Sequence, residues 1–174
     1  YFIGNWKMFG VPKSINILNK INSFSSKDKN RNKYQVIITP PYTLIESFAK
    51  KFKKKKLMIG SQNCYQKDMF SSDTGAISPF MVKKVGAKFT LIGHSDNRAR
   101  GDTDAILKDK VTFALKNNLK VVFCIGENKY QKNNNKTFSV LKNQLTKVLT
   151  SKIISFVFPF CISLPSTSKC IFKF

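Results

Sequence analysis

Three small polar clusters lie at the ends of apolar runs, and their side chains can hold an anion or move a proton. Asn5 and Lys7 sit at the end of the run 1–6, His94, Ser95 and Asp96 at the end of 89–94, and Glu127 directly after 120–126. A lysine ammonium offers a point charge to a phosphate or a developing oxyanion. An imidazole exchanges a proton near neutral pH, and His94 is the sole histidine. Each position also has a plain structural reading. A lysine after a strand is commonly a surface residue, and Glu127 could cap a following helix or pair with a lysine.

These clusters carry weight only if the intervening elements bring them together. Strands are expected over 1–6, 34–39, 57–60, 89–94 and 120–126. Val36-Ile37-Ile38 and Val121-Val122-Phe123-Cys124-Ile125 are continuous apolar runs, the pattern of strands buried on both faces of a parallel sheet. Helices are expected over 12–24, opened by Pro12, over 104–116, with Leu107, Val111, Ala114 and Leu115 on one face, and over 137–149. Strand followed by helix, five times over, is an α/β architecture, and such folds place active sites at the C-terminal ends of their strands. The segment 61–78 is too polar and turn-rich for a helix and reads as a partner-binding loop. The run Lys50, Lys51, Lys53, Lys54, Lys55, Lys56 reads as a solvated helix end entering a loop.

Composition bounds the function classes. The chain has 174 residues, 42% of them hydrophobic, enough for one domain with a core. No apolar stretch is long enough to span a bilayer, and the first residues lack the pattern of a signal peptide, so a cytoplasmic protein is expected. Cys64, Cys124, Cys161 and Cys170 share no Cys-x-x-Cys spacing, which argues against a zinc site and for reduced thiols. The formal charge is +22, but 28 of the 31 basic residues are lysine. Arginine is the preferred residue for bidentate base readout, so this excess points to codon composition and not to nucleic-acid recognition. Neither nucleic acid nor membrane is expected as a partner.

Five motifs, in order, give the chain a family resemblance. Asn5-Trp6-Lys7-Met8, Gln62-Asn63-Cys64-Tyr65, Thr74-Gly75-Ala76-Ile77-Ser78-Pro79, Ile92-Gly93-His94-Ser95 and Cys124-Ile125-Gly126-Glu127 resemble the triosephosphate isomerases over about residues 1–150. The resemblance implies a TIM (β/α)8 barrel that interconverts dihydroxyacetone phosphate and glyceraldehyde 3-phosphate through an enediolate, with no metal or cofactor. That places it in glycolysis and gluconeogenesis. It makes His94 and Lys7 catalytic, with Asn5 and Lys7 binding the substrate and Ser95, Asp96 and Glu127 in support. In this family His94 is expected as a neutral electrophile, its pKa depressed by a short helix beginning near Ser95. Asp96 takes the place of a family glutamate one methylene longer. The 61–78 loop, with Thr74 and Gly75, would reach into a second subunit of a homodimer. Ala76 replaces the acid that pairs with a partner's arginine at the position of Arg98, so that ion pair is expected to be lost.

Part of the family pattern has no counterpart. Five strand-helix units are legible where the barrel needs eight, so the fold is expected to be an incomplete barrel. Residues 151–174 form a divergent tail with no Asp, Glu, Asn or Gly, as a frameshifted or truncated end would have. The family's catalytic glutamate and Gly-rich phosphate loops are absent. The chain is expected to be an inactive fragment, with open sheet edges and an uncovered apolar face that favour aggregation. The alternative is a non-catalytic basic protein that binds nucleic acid or anionic membrane on a degenerate α/β scaffold.

Overall fold

The computed structural model describes residues 1–149, together with the backbone of 160–163 and 169–173. Five parallel strands, β1 (Phe2–Asn5), β2 (Val36–Thr39), β3 (Leu57–Ser61), β4 (Phe89–Ile92) and β5 (Lys120–Gly126), are hydrogen-bonded in sequence order. They alternate with helices α1 (Ile15–Lys27), α2 (Tyr42–Lys51), α3 (Pro79–Lys84), the short α4 (Ser95–Ala99), α5 (Asp104–Lys116), α6 (Lys129–Asn133) and α7 (Thr137–Val148). The result is a curled half-barrel.

Strand parity divides the core. Ile38, Ile59, Ile92, Val121, Phe123 and Ile125 turn outward and pack with Leu44, Phe48, Val82, Leu107 and Val111 of the helices. Ile37, Phe89, Leu91 and Val122 form a second cluster on the opposite face, with Ile3 and Met58 at its margin. Both faces of β2 and β5 are therefore buried, as their unbroken apolar runs require.

Three expectations change. The helix expected over 12–24 begins as a 3-10 turn at Pro12–Ser14 and is α-helical only from Ile15 to Lys27. Ser14 Oγ accepts from Val11 N–H at 3.1 Å and holds the entry turn tight. At the other end Ser25 Oγ donates to Ile21 O at 2.8 Å, so the buried hydroxyl is hydrogen-bonded and the helix runs on. Secondly, the apolar inner face is not uncovered. Ile37 and Val122 are 0% exposed and Leu91 3%. Thirdly, the outer edge of β5 is not open. It pairs antiparallel with β7 (Lys169–Lys173), in register from Val122↔Lys173 to Gly126↔Lys169, and β7 pairs in turn with β6 (Phe160–Ser163). An antiparallel hairpin thus lies where a continuing barrel needs a parallel strand. The rest of the tail, including Pro159, lies outside the described residues.

Candidate active site

The C-terminal ends of β1, β3 and β4 converge on a cleft of about 620 Å³ lined by Asn5, Lys7, Gln62, His94, Asp96 and Arg100, among others. Asn5 ends β1, and its Oδ1 accepts from Lys7 N–H at 2.9 Å. This bond turns the chain sharply, with Lys7 at φ 51°, a left-handed conformation that disfavours any residue with a Cβ. Gln62 Nε2 donates to Lys7 O at 2.7 Å and to Thr39 O at 2.9 Å, tying the strained residue to β2 and β3. Backbone strain is held in this way where a side chain must be aimed.

His94 is the residue preceding α4 and is positioned by Gly93. Gly93 has φ +80°, and a Cβ there would lie 2.9 Å from Cys124 O. The ring's Nδ1 accepts from Asp96 N–H at 3.1 Å, which requires a lone pair on Nδ1 and leaves the proton of the neutral ring on Nε2. Asp96 Oδ2 also lies 3.6 Å from Nδ1, a geometry that would suit a protonated ring. The shorter backbone bond decides for the neutral tautomer, because the Asp96 carboxylate is drawn to Lys7 Nζ at 3.3 Å. Asp96 therefore reaches Lys7 despite its shorter side chain. The helix expected near Ser95 is present with five residues, and the N–H of its second residue, Asp96, is the one that bonds the imidazole.

Glu127 stands apart from the cleft lining. It neither caps α6, whose N-cap is Asn128, nor forms an ion pair among the described residues. Its Oε1 accepts from Thr137 Oγ1 at 3.3 Å, and its Oε2 is buried without a hydrogen-bond partner. Just before it, Gly126 is clamped to α7 by two bonds with the Gln144 amide, each 2.9 Å. Ser95 is exposed beside His94.

The loop from β3 to α3 is ordered by its own polar groups. Tyr65 N–H donates to Ile77 O at 2.9 Å, and Asp73 accepts from Tyr65 and Lys67 at 3.0 and 2.6 Å, and from Ser71. The hydrogen bonds from Lys67, Ser71 and Tyr65 hold the Asp73 carboxyl down to about 2. Thr74 and Gly75 form the exposed tip, with Gly75 at φ +77°. Arg98 is already engaged within the chain. Its Nε donates to Gly93 O at 2.8 Å, its terminal nitrogens reach Cys124 O at 3.2 Å and Asp104 Oδ1 at 3.6 Å, and its guanidinium lies over Phe123.

Sequence reasoning passed over several supporting residues. Gln62 and Asn63 stood in a motif without a role, although an amide pair directly after a buried strand is a signal in itself. Arg100 lines the cleft from the turn after α4. Lys110 is buried beneath it, 2.7 and 2.9 Å from the two Asp102 oxygens and 3.2 Å from Asn63 Oδ1. Cys64 is 1% exposed, and burial pushes its thiol up to about 12, which leaves it inert. Among the described residues no group of His, Cys, Asp or Glu could hold a metal ion, and no helix is long and apolar enough to cross a membrane.

Comparison with known proteins bears on the family and the fold. The triosephosphate isomerase family model matches residues 1–157. The triosephosphate isomerase of Psychromonas ingrahamii is 35% identical over 149 residues, covering 84% of this chain and 58% of that protein. Its counterpart in Bacteroides fragilis is 37% identical over 147 residues, covering 83% and 57%. The crystal structure of triosephosphate isomerase from Bartonella henselae superimposes with a TM-score of 0.79 at 32% identity, covering 86% of this chain and 61% of that one. The chain thus spans somewhat less than 60% of the length of these curated relatives. The family model covers most of the chain and the fold agrees within that span, so the chain belongs to the triosephosphate isomerase family.

Proposed function

We propose that the cleft binds a triose phosphate and polarises its carbonyl, as one half of an isomerase centre that interconverts dihydroxyacetone phosphate and glyceraldehyde 3-phosphate. The observation that carries this reading is the Lys7–Asp96–His94 arrangement at the strand ends, with the imidazole Nδ1 accepting from Asp96 N–H so that a neutral ring carries its proton on Nε2. Lys7 supplies the positive charge for the phosphate and the developing oxyanion, and Asn5 fixes the turn that aims it. The Nε2–H donates to the carbonyl oxygen and then to the enediolate oxygens. A neutral imidazole in this role is the family's established chemistry.

Isomerisation also needs a base to take the proton from carbon. Asp96 is the only carboxylate lining the cleft among the described residues, and Lys7 holds it. Residues 128–174 contain no Asp or Glu. On this reading the chain is a fragment that binds the triose without converting it, because the electrophile is present and the base is missing. A homodimer built through the Thr74–Gly75 loop and a cytoplasmic place in glycolysis and gluconeogenesis belong to the complete enzyme.

Titration of the full chain with dihydroxyacetone phosphate tests both halves. Saturable binding, lost in Lys7→Ala and weakened in His94→Gln, is expected, with no deuterium entering the substrate's carbon from heavy water. No binding would overturn the site assignment. Deuterium incorporation removed by His94→Gln would overturn the claim that the base is missing.

A further inference from the structure

The geometry points to a second anion site, at the opposite end of the strands from Lys7 and His94, that takes a nucleoside diphosphate. A cleft of about 300 Å³ opens between the C-terminal ends of α2 and α3, with Lys50, Lys53, Lys84 and Lys88 at its margin. That volume is at the lower limit for a small-molecule site. The space lies below the paired part of β3 and β4, Gly60↔Phe89 and Ser61↔Thr90, where Lys88 N–H donates to Ile59 O at 2.9 Å and β3 begins at Leu57. One wall is closed where the turn after α3 meets α2. A Cβ on Gly86, which has φ +97°, would lie 2.8 Å from the Ala49 Cβ, so these segments approach as closely as glycine allows.

Charge and lining together select the ligand. Glu46 is the only acid at this cleft, its carboxylate already paired with Lys50 at 2.6 Å, and neither 47–67 nor 74–95 contains another. Deducting Glu46 and two helix C-termini, each equivalent to about half a negative charge, leaves roughly two uncompensated positive charges. Burial first, then repulsion from Lys88 and Lys120, holds the ammonium of neighbouring Lys83 below the usual lysine range. The floor is apolar, with Ala49, Phe52 and Val85 among the lining residues. A ligand with two or more negative charges and a flat, weakly polar body matches both features. An inorganic anion satisfies only the margin.

The site is independent of the isomerase reading, and its test is separate. The full chain is titrated calorimetrically with ADP and, as the charge-only comparison, with inorganic pyrophosphate. One saturable ADP site is expected, about fivefold or more tighter than pyrophosphate because the apolar floor contributes. Lys53→Glu/Lys88→Glu should weaken ADP by about tenfold or more, while Lys13→Glu/Lys20→Glu, the same charge change on exposed residues elsewhere, should leave it within about twofold. Lys7→Ala should leave it unchanged. Equal weakening by both double variants would reduce the effect to the overall charge of the chain and overturn the site. Pyrophosphate binding as tight as ADP, or loss in Lys7→Ala, would overturn it equally. A readout on the unaltered chain guards against misfolded variants: ADP should slow acetylation of Lys53 and Lys88 but not Lys13, and equal labelling overturns the assignment.

Discussion

Removing Lys110 tests whether the cleft is held from below by a buried ion pair. The Lys110 side chain is 4% exposed and Asp102 12%, with Nζ 2.7 Å from one carboxylate oxygen and 2.9 Å from the other. Asn63, which lines the cleft, bonds the same ammonium at 3.2 Å. In Lys110→Met the methylene stem is retained while Asp102 and Asn63 lose their shared partner. Breaking a buried pair on one side costs about 3–5 kcal/mol, because the remaining charge is left in a poor solvent. For a chain of this size that lowers Tm by roughly 6–20 °C. Urea denaturation followed by circular dichroism at neutral pH measures the loss. The pair can also be removed whole, and Lys110→Met/Asp102→Leu should recover at least about half of the loss, since no orphaned charge remains. A loss below about 1 kcal/mol for Lys110→Met, the size of an exposed pair, would refute the reasoning. So would a double variant less stable than the single one.

Other perturbations address the strained and charged positions. Gly93→Ala should destabilise the fold by about 2 kcal/mol or more, from the left-handed φ together with the approach to Cys124 O, as read by the same denaturation assay. Lys7→Gly should be about 1 kcal/mol more stable than Lys7→Ala, because only glycine relieves the φ of 51°, while both lose triose-phosphate binding. Equal stabilities would show that the turn is unstrained. Asp73 has its folded pKa lowered to about 2 by Lys67, Ser71 and Tyr65. Its contribution is therefore fully present above its ordinary value of 3.8 and is lost as pH falls through about 2. NMR titration of the Asp73 carboxyl should show this, and Lys67→Ala should return the midpoint toward 3.8.

What could be read from the sequence was whatever depends on local pattern. The unbroken apolar runs of β2 and β5 fixed buried parallel strands, because a strand covered on both faces has no polar face to show. The spacing of Leu107, Val111 and Ala114 fixed α5 to its observed ends, Asp104 and Lys116. Asn5, Lys7, His94 and Asp96 were identifiable because each lies at the end of such a run. Tertiary structure decided what depends on distance between segments remote in sequence. Asp96 reaches Lys7 across 89 positions because β1 and β4 end at the same rim, and no propensity encodes that separation. The burial of Lys110 was equally invisible, since a lysine on an amphipathic helix normally meets water and this one meets Asp102 and Asn63. The hairpin on β5 was hidden for the same reason. A sheet edge accepts any strand whose backbone can reach it, so pairing and direction are settled by the folded geometry, while side-chain pattern reports only which faces are buried.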